Sequence, residues 1–558
     1  MKKQVVPSRP GGSSCLSESL DYAAQTLGKV RFFDHNAVVV SECTFEEVRI
    51  RALKHAQYLL SLDFPRGSYV ALIAETRLEF IILFYACQYA GLIPSALPFT
   101  VRPTGREVYE KKLLRFLDIL KPVLLIAPES IDPIVQSIGQ NMRQSHQVQV
   151  ATYEQIAVHA NTQTPLADHQ QTSLKPHEDA FVQYSSGSTS EPAGLVATQH
   201  AVMENLDAIN IPGLDIGPNE QYFSWLPFDH DMGLVGLVIS AVNTQSSTDY
   251  ISPQTFMAKP QLWLELMSSC RSTLCFAPAF AYELALQKRD HDKPLDLSAL
   301  RIAGVGGDMI HAQTLHTFAQ EMKHTGFRFE SFHPAYGLAE MILGVTLSVP
   351  GEGPYIHTFS NEHFSQELVS CGRVLPGFDI TIKHESIPIS SLHSAGEVWV
   401  KGPSLVTQSL NAAEKIRQDE NGFIFTGDLG FFHEGYLFIA GRSKDMIIIR
   451  GRNIWAQDVE QVATGCDNRL DSHSVAAIGI TQNRQEHLVI LVQNNHFSPD
   501  ERKTLQQNIL TAINQTFGVK AQFIWTQPNQ LSTTTLGKLA RAQIKLNYLN
   551  NTLLTITQ

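Results

Sequence analysis

Apolar positions along this chain fall into two alternating kinds of block. Over residues 44–60, Val48, Ala52, Ala56 and Leu59 recur on one helical face, behind Thr44 with Glu47 three residues on. That spacing predicts an amphipathic helix opened by a capping box. Residues 69–74 form a short continuous apolar run, which predicts a strand. Residues 78–90 are apolar on every side and stop at Gly91 and Pro94, as a buried helix would. Further short strands are predicted at 122–127, 180–184, 273–278 and 300–305. Strands alternating with helices predict an α/β architecture. Residues 160–178 are polar and without period, and predict a surface linker. No internal repeat is visible.

Length and composition narrow the picture. A chain of 558 residues is too long for one ordinary domain, and roughly three or four units are expected. With 43% apolar and 17% charged residues it has an ordinary globular composition. A net charge of −11 argues against generic nucleic-acid binding, which needs a basic face. The seven cysteines are scattered with no C-x-x-C, and read as free thiols in a reducing compartment. Lys2 and Lys3 are followed by no apolar core, so no signal peptide is predicted. The apolar run at 80–94 is shorter than the ~20 residues a membrane span needs. The expectation is a cytoplasmic protein with no membrane span and no nucleic-acid partner.

Candidate chemistry begins at residues 184–194, Y-S-S-G-S-T-S-E-P-A-G. Ser185, Ser186, Ser188 and Thr189 surround Gly187, and Gly194 follows. A strand running into a hydroxyl- and glycine-rich turn suits phosphate, because glycine lets backbone amides converge and hydroxyls add donors. From this stretch alone, a Ser/Gly-rich surface loop is an equal reading.

The remaining motifs resolve that choice by resemblance. They are W-L-P-F-D-H-D-M-G-L-V-G at 225–236, A-P-A-F-A-Y at 277–282, Y-G-L-A-E at 336–340, L-V-S-C-G-R at 368–373, T-G-D-L-G at 426–430, I-I-I-R-G-R-N at 447–453 and L-G-K at 536–538. In order and approximate spacing the chain resembles the adenylate-forming superfamily of acyl-CoA synthetases, luciferases and adenylation domains, and within it the fatty acyl-AMP ligases. The resemblance implies a large N-terminal α/β region, residues 1–441, with two sheet-based lobes and a small β subdomain. It further implies a hinge at 442–445, with Lys444 the pivot, and a small mobile α+β domain at 446–558.

The implied reaction is attack of a carboxylate on the α-phosphate of ATP, giving an acyl-adenylate and pyrophosphate. By the same resemblance, Ser185, Ser186, Gly187, Ser188, Thr189 and Gly194 hold the phosphates. Glu340 binds Mg2+, and Lys538 offsets charge on the α-phosphate and the carboxylate. His230 lies near the acyl carboxylate. Tyr336 stacks on adenine, with Gly306, Gly307 and Asp308 as pocket wall and Gly337 and Leu338 beside it. Asp428 accepts from the ribose hydroxyls, and Arg442 reaches ribose or phosphate. The acid is a fatty or related carboxylic acid. The acceptor is the phosphopantetheine thiol of an acyl carrier protein or, alternatively, CoA; a third alternative is a nucleotide- or acyl-binding homologue that has lost catalysis.

The chain departs from the family pattern at several places. The phosphate loop usually ends G-x-P-K-G; here Ala193 stands where the lysine would be, and Glu191 adds a negative charge. Residues 347–367 are shorter than the insertion that fatty acyl-AMP ligases carry there. Asp308 replaces a usual glutamate and Ala279 a usual asparagine, which points to an unusual acyl pocket. Residues 446–558 hold ten Lys/Arg against seven Asp/Glu, so a basic C-terminal part faces an acidic remainder. Such a surface suits an acidic carrier protein.

Overall fold

The computed structural model describes residues 6–556 apart from 100–105, 143–147, 168–171, 186–192, 291–292, 362–363, 384–394, 412–416, 450–451, 472, 483–484, 495–496 and 535–537. The first amphipathic block is the helix Phe45–Ser61. Its capping box is complete: Thr44 Oγ1 accepts from the Glu47 N–H at 3.2 Å, and the Glu47 carboxylate accepts from the Thr44 N–H at 2.8 Å. The all-apolar block is the buried helix Leu78–Ala90, ending at Gly91. The two helices pack together over one face of a parallel sheet, and their apolar side chains fill the first core.

Among the described residues, the strands Ile93–Leu97, Tyr69–Ile73, Leu124–Ala127 and Gln149–Thr152 are joined by Asp179–Ser185, Ala193–Thr198 and Gln408–Ser409 in a seven-stranded sheet. A nine-stranded sheet holds the second core. Its six central strands, from Lys29–Phe33 to Phe332–Gly337, run parallel. A four-stranded antiparallel sheet contains Ile424–His433 paired with Tyr436–Arg442. After the short turn Ser443–Asp445 come the hairpin Met446–Ile449/Arg452–Trp455 and a three-stranded sheet covered by helices. The α/β class, the two large sheets, the small β-sheet and the α+β C-terminal part are thus all present.

One expectation needs adjusting. The segment at 160–178 is not a free surface linker: the helix Tyr153–Asn161 covers its start, and Leu166 and Leu174 are buried. The Leu174 N–H donates to the Gln88 carbonyl at 3.0 Å, which ties the segment to the buried helix. Residues 347–367 include one strand of the hairpin Ile356–Asn361/Phe364–Val369. Beside it the Tyr355 ring stacks on Tyr436 with centroids 4.5 Å apart. The seven cysteines are free, and no described helix is long and apolar enough to cross a membrane.

Candidate active site

In open α/β sheets ligands bind beyond the carboxyl ends of parallel strands. The strand Ile302–Val305 runs out into Gly306, Gly307 and Asp308 at that edge, and the neighbouring Phe332–Gly337 delivers Tyr336 and Gly337. Gly337 admits no side chain: a Cβ there would stand 1.7 Å from the Leu343 carbonyl oxygen. Leu338 follows and leads into the turn Ala339–Met341, which carries Glu340. The backbone carbonyl of Glu340 accepts from the Val406 N–H at 2.8 Å.

Asp428 and Arg442 come from the small antiparallel sheet, where they face each other in register. Arg442 Nε lies 3.3 Å from Asp428 Oδ1. The Tyr336 hydroxyl donates to Asp428 Oδ2 at 2.7 Å. This bond joins two sheets and gives Tyr336 a polar contact beyond the expected ring stacking. Burial pushes the Asp428 carboxyl above the usual carboxylate range, against the pull of Arg442 and of the Tyr336 hydroxyl. The same burial, reinforced by Asp428, holds the Tyr336 phenol far above its ordinary value.

Lys538 approaches from the C-terminal part. Its turn is closed by the Thr534 N–H donating to the Lys538 carbonyl at 2.7 Å; residues 535–537 of that turn lie outside the described residues. Gly307 has a positive φ of 78°, and a Cβ there would stand 3.4 Å from Lys538 Nζ. Burial pulls the Lys538 ammonium below the usual lysine range; Asp308, Asp231 and Asp428 act against that fall, and Arg442 with it. His230 precedes the short helix Asp231–Gly233; its Nδ1 lies 2.7 Å from Asp231 Oδ1, which also accepts from the Met232 N–H at 2.6 Å.

The structure therefore brings Gly307, Asp308, Tyr336, Gly337, Asp428, Arg442, Lys444 and Lys538 to one cleft of about 1080 Å³. The expected phosphate loop is only framed. Ser186, Gly187, Ser188 and Thr189 lie outside the described residues, as do Ser190 to Pro192, and of Ser185 only the backbone is described. Gly194 sits inside the strand Ala193–Thr198, with its N–H donating to Asn411 Oδ1 at 3.2 Å. That amide already has a partner. Ala193, at the lysine's place, is 3% exposed and packed in the core.

Sequence reading missed a second charged cluster. Arg541, three residues after Lys538, makes a two-pronged contact with Glu460 at 2.9 and 2.6 Å and another with Asp445 at 2.9 Å. Glu460 also accepts from the Ala477 N–H at 2.9 Å. Asp445 belongs to the turn after Arg442, so the cluster ties that turn to the segment carrying Lys538. Gln183 was also missed, although a lone polar residue in the apolar run 180–184 was a visible signal.

A family model described as AMP-binding enzyme matches residues 23–408. A putative acyl-CoA synthetase of Caulobacter vibrioides is 30% identical over 556 residues, covering 96% of each chain. The medium-chain-fatty-acid–acyl-carrier-protein ligase JamA of Moorena producens is 28% identical, covering 94% of this chain and 92% of its own. A solved structure from a study of fatty acyl-adenylate ligases of E. coli and L. pneumophila superposes with a TM-score of 0.90 at 33% identity, covering 98% of this chain and all of that one.

Proposed function

We propose that this chain, which belongs to the AMP-binding enzyme family, activates a fatty acid with ATP and passes the acyl group to the phosphopantetheine thiol of an acyl carrier protein. The observation that carries the reading is the approach of Lys538 to Gly307 in the cleft that also holds Tyr336, Asp428 and Arg442. In the first step a carboxylate oxygen of the acid forms a bond to the α-phosphorus, and the bond to the pyrophosphate oxygen breaks. Two anions meet and negative charge builds on the phosphoryl oxygens, so fixed donors and cations accelerate the step. Lys538 supplies the cation where the carboxylate and α-phosphate meet. Asp428 accepts from the ribose hydroxyls through the lone pairs that Tyr336 and Arg442 leave open. Tyr336 and the backbone of Gly306, Gly307 and Asp308 flank the adenine, with Gly337 and Leu338 alongside. His230, steadied by Asp231, lies on the acyl side.

Among the described residues no group of three or more His, Cys, Asp or Glu is arranged to hold a metal ion. Glu340 would supply one carboxylate oxygen to a Mg2+, which would offset charge on the phosphate oxygens. We assign the two units to residues 1–441 and 446–558, joined by 442–445 with Lys444 as the pivot. Supporting this, the small sheet ends at Arg442, and the strand after Ser443–Asp445 belongs to a separate sheet.

The carrier protein is favoured as acceptor by the likeness to JamA and by the ten Lys/Arg against seven Asp/Glu at 446–558. CoA is the second reading, favoured by the likeness to the Caulobacter protein. The test is pyrophosphate exchange across acids of graded chain length, followed by separate offers of holo carrier protein and CoA. The expected result is acid-dependent exchange and a thioester on the carrier alone. Thioester on CoA alone selects the second reading, and no exchange with any acid overturns adenylation. Carrier acylation should also slow as salt rises.

A further inference from the structure

We propose that Gln183 is a positioning residue that makes the strand entering the phosphate loop and the turn carrying Glu340 one rigid unit. The proposal deepens the adenylation reading and rests on it. Gln183 lies two residues before Ser185 in the strand Asp179–Ser185, and is 5% exposed among apolar neighbours. Its Nε2 donates to the Ala339 carbonyl at 2.7 Å and to the Ile342 carbonyl at 3.2 Å. Those two carbonyls bracket Glu340 and Met341.

The turn they bracket is strained. Ile342 is β-branched yet has φ 69° and ψ −59°, and the Leu343 N–H donates to the Met341 carbonyl at 2.9 Å. A γ-turn of this hand is rare, and such backbone persists only where its surroundings over-determine it. Gln183 does so from the phosphate-loop side. Ser404 Oγ, donating to the Met341 carbonyl at 2.9 Å, and Asn205, which brackets Gly344 with bonds of 2.8 and 3.2 Å, do so from the other. Among the described residues the amide oxygen of Gln183 is buried with no hydrogen-bond partner. An unpaired buried acceptor is unfavourable, so the side chain is kept for what its donor does. A carboxylate held by a strained turn keeps its position only while the turn is held. A misplacement of about 1 Å in such machinery costs on the order of 10²-fold in rate.

The test uses the full chain with Gln183→Met, which keeps length and volume and deletes the donor. Calorimetry measures ATP binding with Mg2+ and with EDTA, alongside the Mg2+ dependence of pyrophosphate exchange. The expected result is an unchanged ATP affinity in EDTA, a loss of about fivefold or more in the tightening that Mg2+ gives, and exchange slower by roughly 10²-fold. A folded variant whose Mg2+ dependence matches the wild type overturns the role. Should Gln183→Met not fold, hydrogen exchange of the ligand-free wild type decides. Amides at 339–344 as protected as the adjoining core strands support a preformed unit, and fast exchange there overturns it. A wild type that exchanges no pyrophosphate sinks the adenylation reading itself; a wild type that does, beside an indifferent variant, sinks only the role of Gln183.

Discussion

Two arginine–carboxylate clusters flank Lys538, built from the same groups and left in different states. On one side Arg541 grips Glu460 with two bonds and Asp445 with a third, and the Arg541 and Glu460 side chains are 17% and 11% exposed. On the other side Arg442 meets Asp428 once, at 3.3 Å, and 55% of its side chain is open to solvent. A guanidinium has five N–H donors in a fixed fork. Arg541 spends three of them on two carboxylates of its own chain, whereas among the described residues Arg442 meets one carboxylate. The difference separates scaffold from site: the saturated cluster fixes the turn and the Lys538 segment to each other, and the unsaturated one retains capacity for a ligand.

The sharpest break falls on the saturated cluster. Arg541→Met leaves Glu460 buried and unpaired, and should cost about 3–5 kcal/mol of stability, read by urea unfolding. Adding Glu460→Leu should restore much of that loss. A change under about 1 kcal/mol in the single variant would mean that the cluster is no scaffold. Next comes the residue between the clusters. Lys538→Ala should slow acyl-adenylate formation by ~10²-fold or more, measured by pyrophosphate exchange, with little change in stability. Near-normal exchange would remove Lys538 from the chemistry.

The unsaturated cluster should respond in the opposite sense to Arg541. Arg442→Gln should change stability by less than about 1 kcal/mol, yet raise the KM for ATP about tenfold, the worth of one charge-assisted hydrogen bond. A large stability loss with unchanged KM would reverse the contrast. The smallest effect is a slope in pH. His333 is buried with Nε2 unpaired among the described residues, and burial pulls its pKa from 6.5 down to about 3. The unfolded chain therefore binds a proton that the folded one refuses. Stability from this group is complete above pH 6.5 and is lost as pH falls toward 3, at no more than about 1.4 kcal/mol per pH unit. His333→Leu should flatten that part of the stability curve; an unchanged slope would assign it to other groups.

How far each feature could be read from sequence follows from how local its cause is. The helix Phe45–Ser61 was legible down to its cap, because a capping box is made within four residues. The strands Tyr69–Ile73 and Ile302–Val305 were legible within two residues, because parallel strands buried on both faces read as apolar runs. Residues 160–178 misled because polar composition hides two leucines that pin the segment down. At Ala193 the motif reads as a lysine lost from a loop. The structure instead has a strand beginning there with a buried side chain.

By itself the sequence determined the α/β class, the order of the motifs and the chemistry available at Glu340, Asp428, Arg442 and Lys538, since these rest on residue type and short-range spacing. Only the tertiary structure decided which of those groups meet. The Tyr336–Asp428 bond spans 92 positions and the Arg541–Glu460 pair spans 81. Contacts between such distant residues depend on how sheets and helices pack in space, and no local pattern encodes them. For the same reason the reach of Gln183 to a strained turn 156 positions away appears only once the fold is formed.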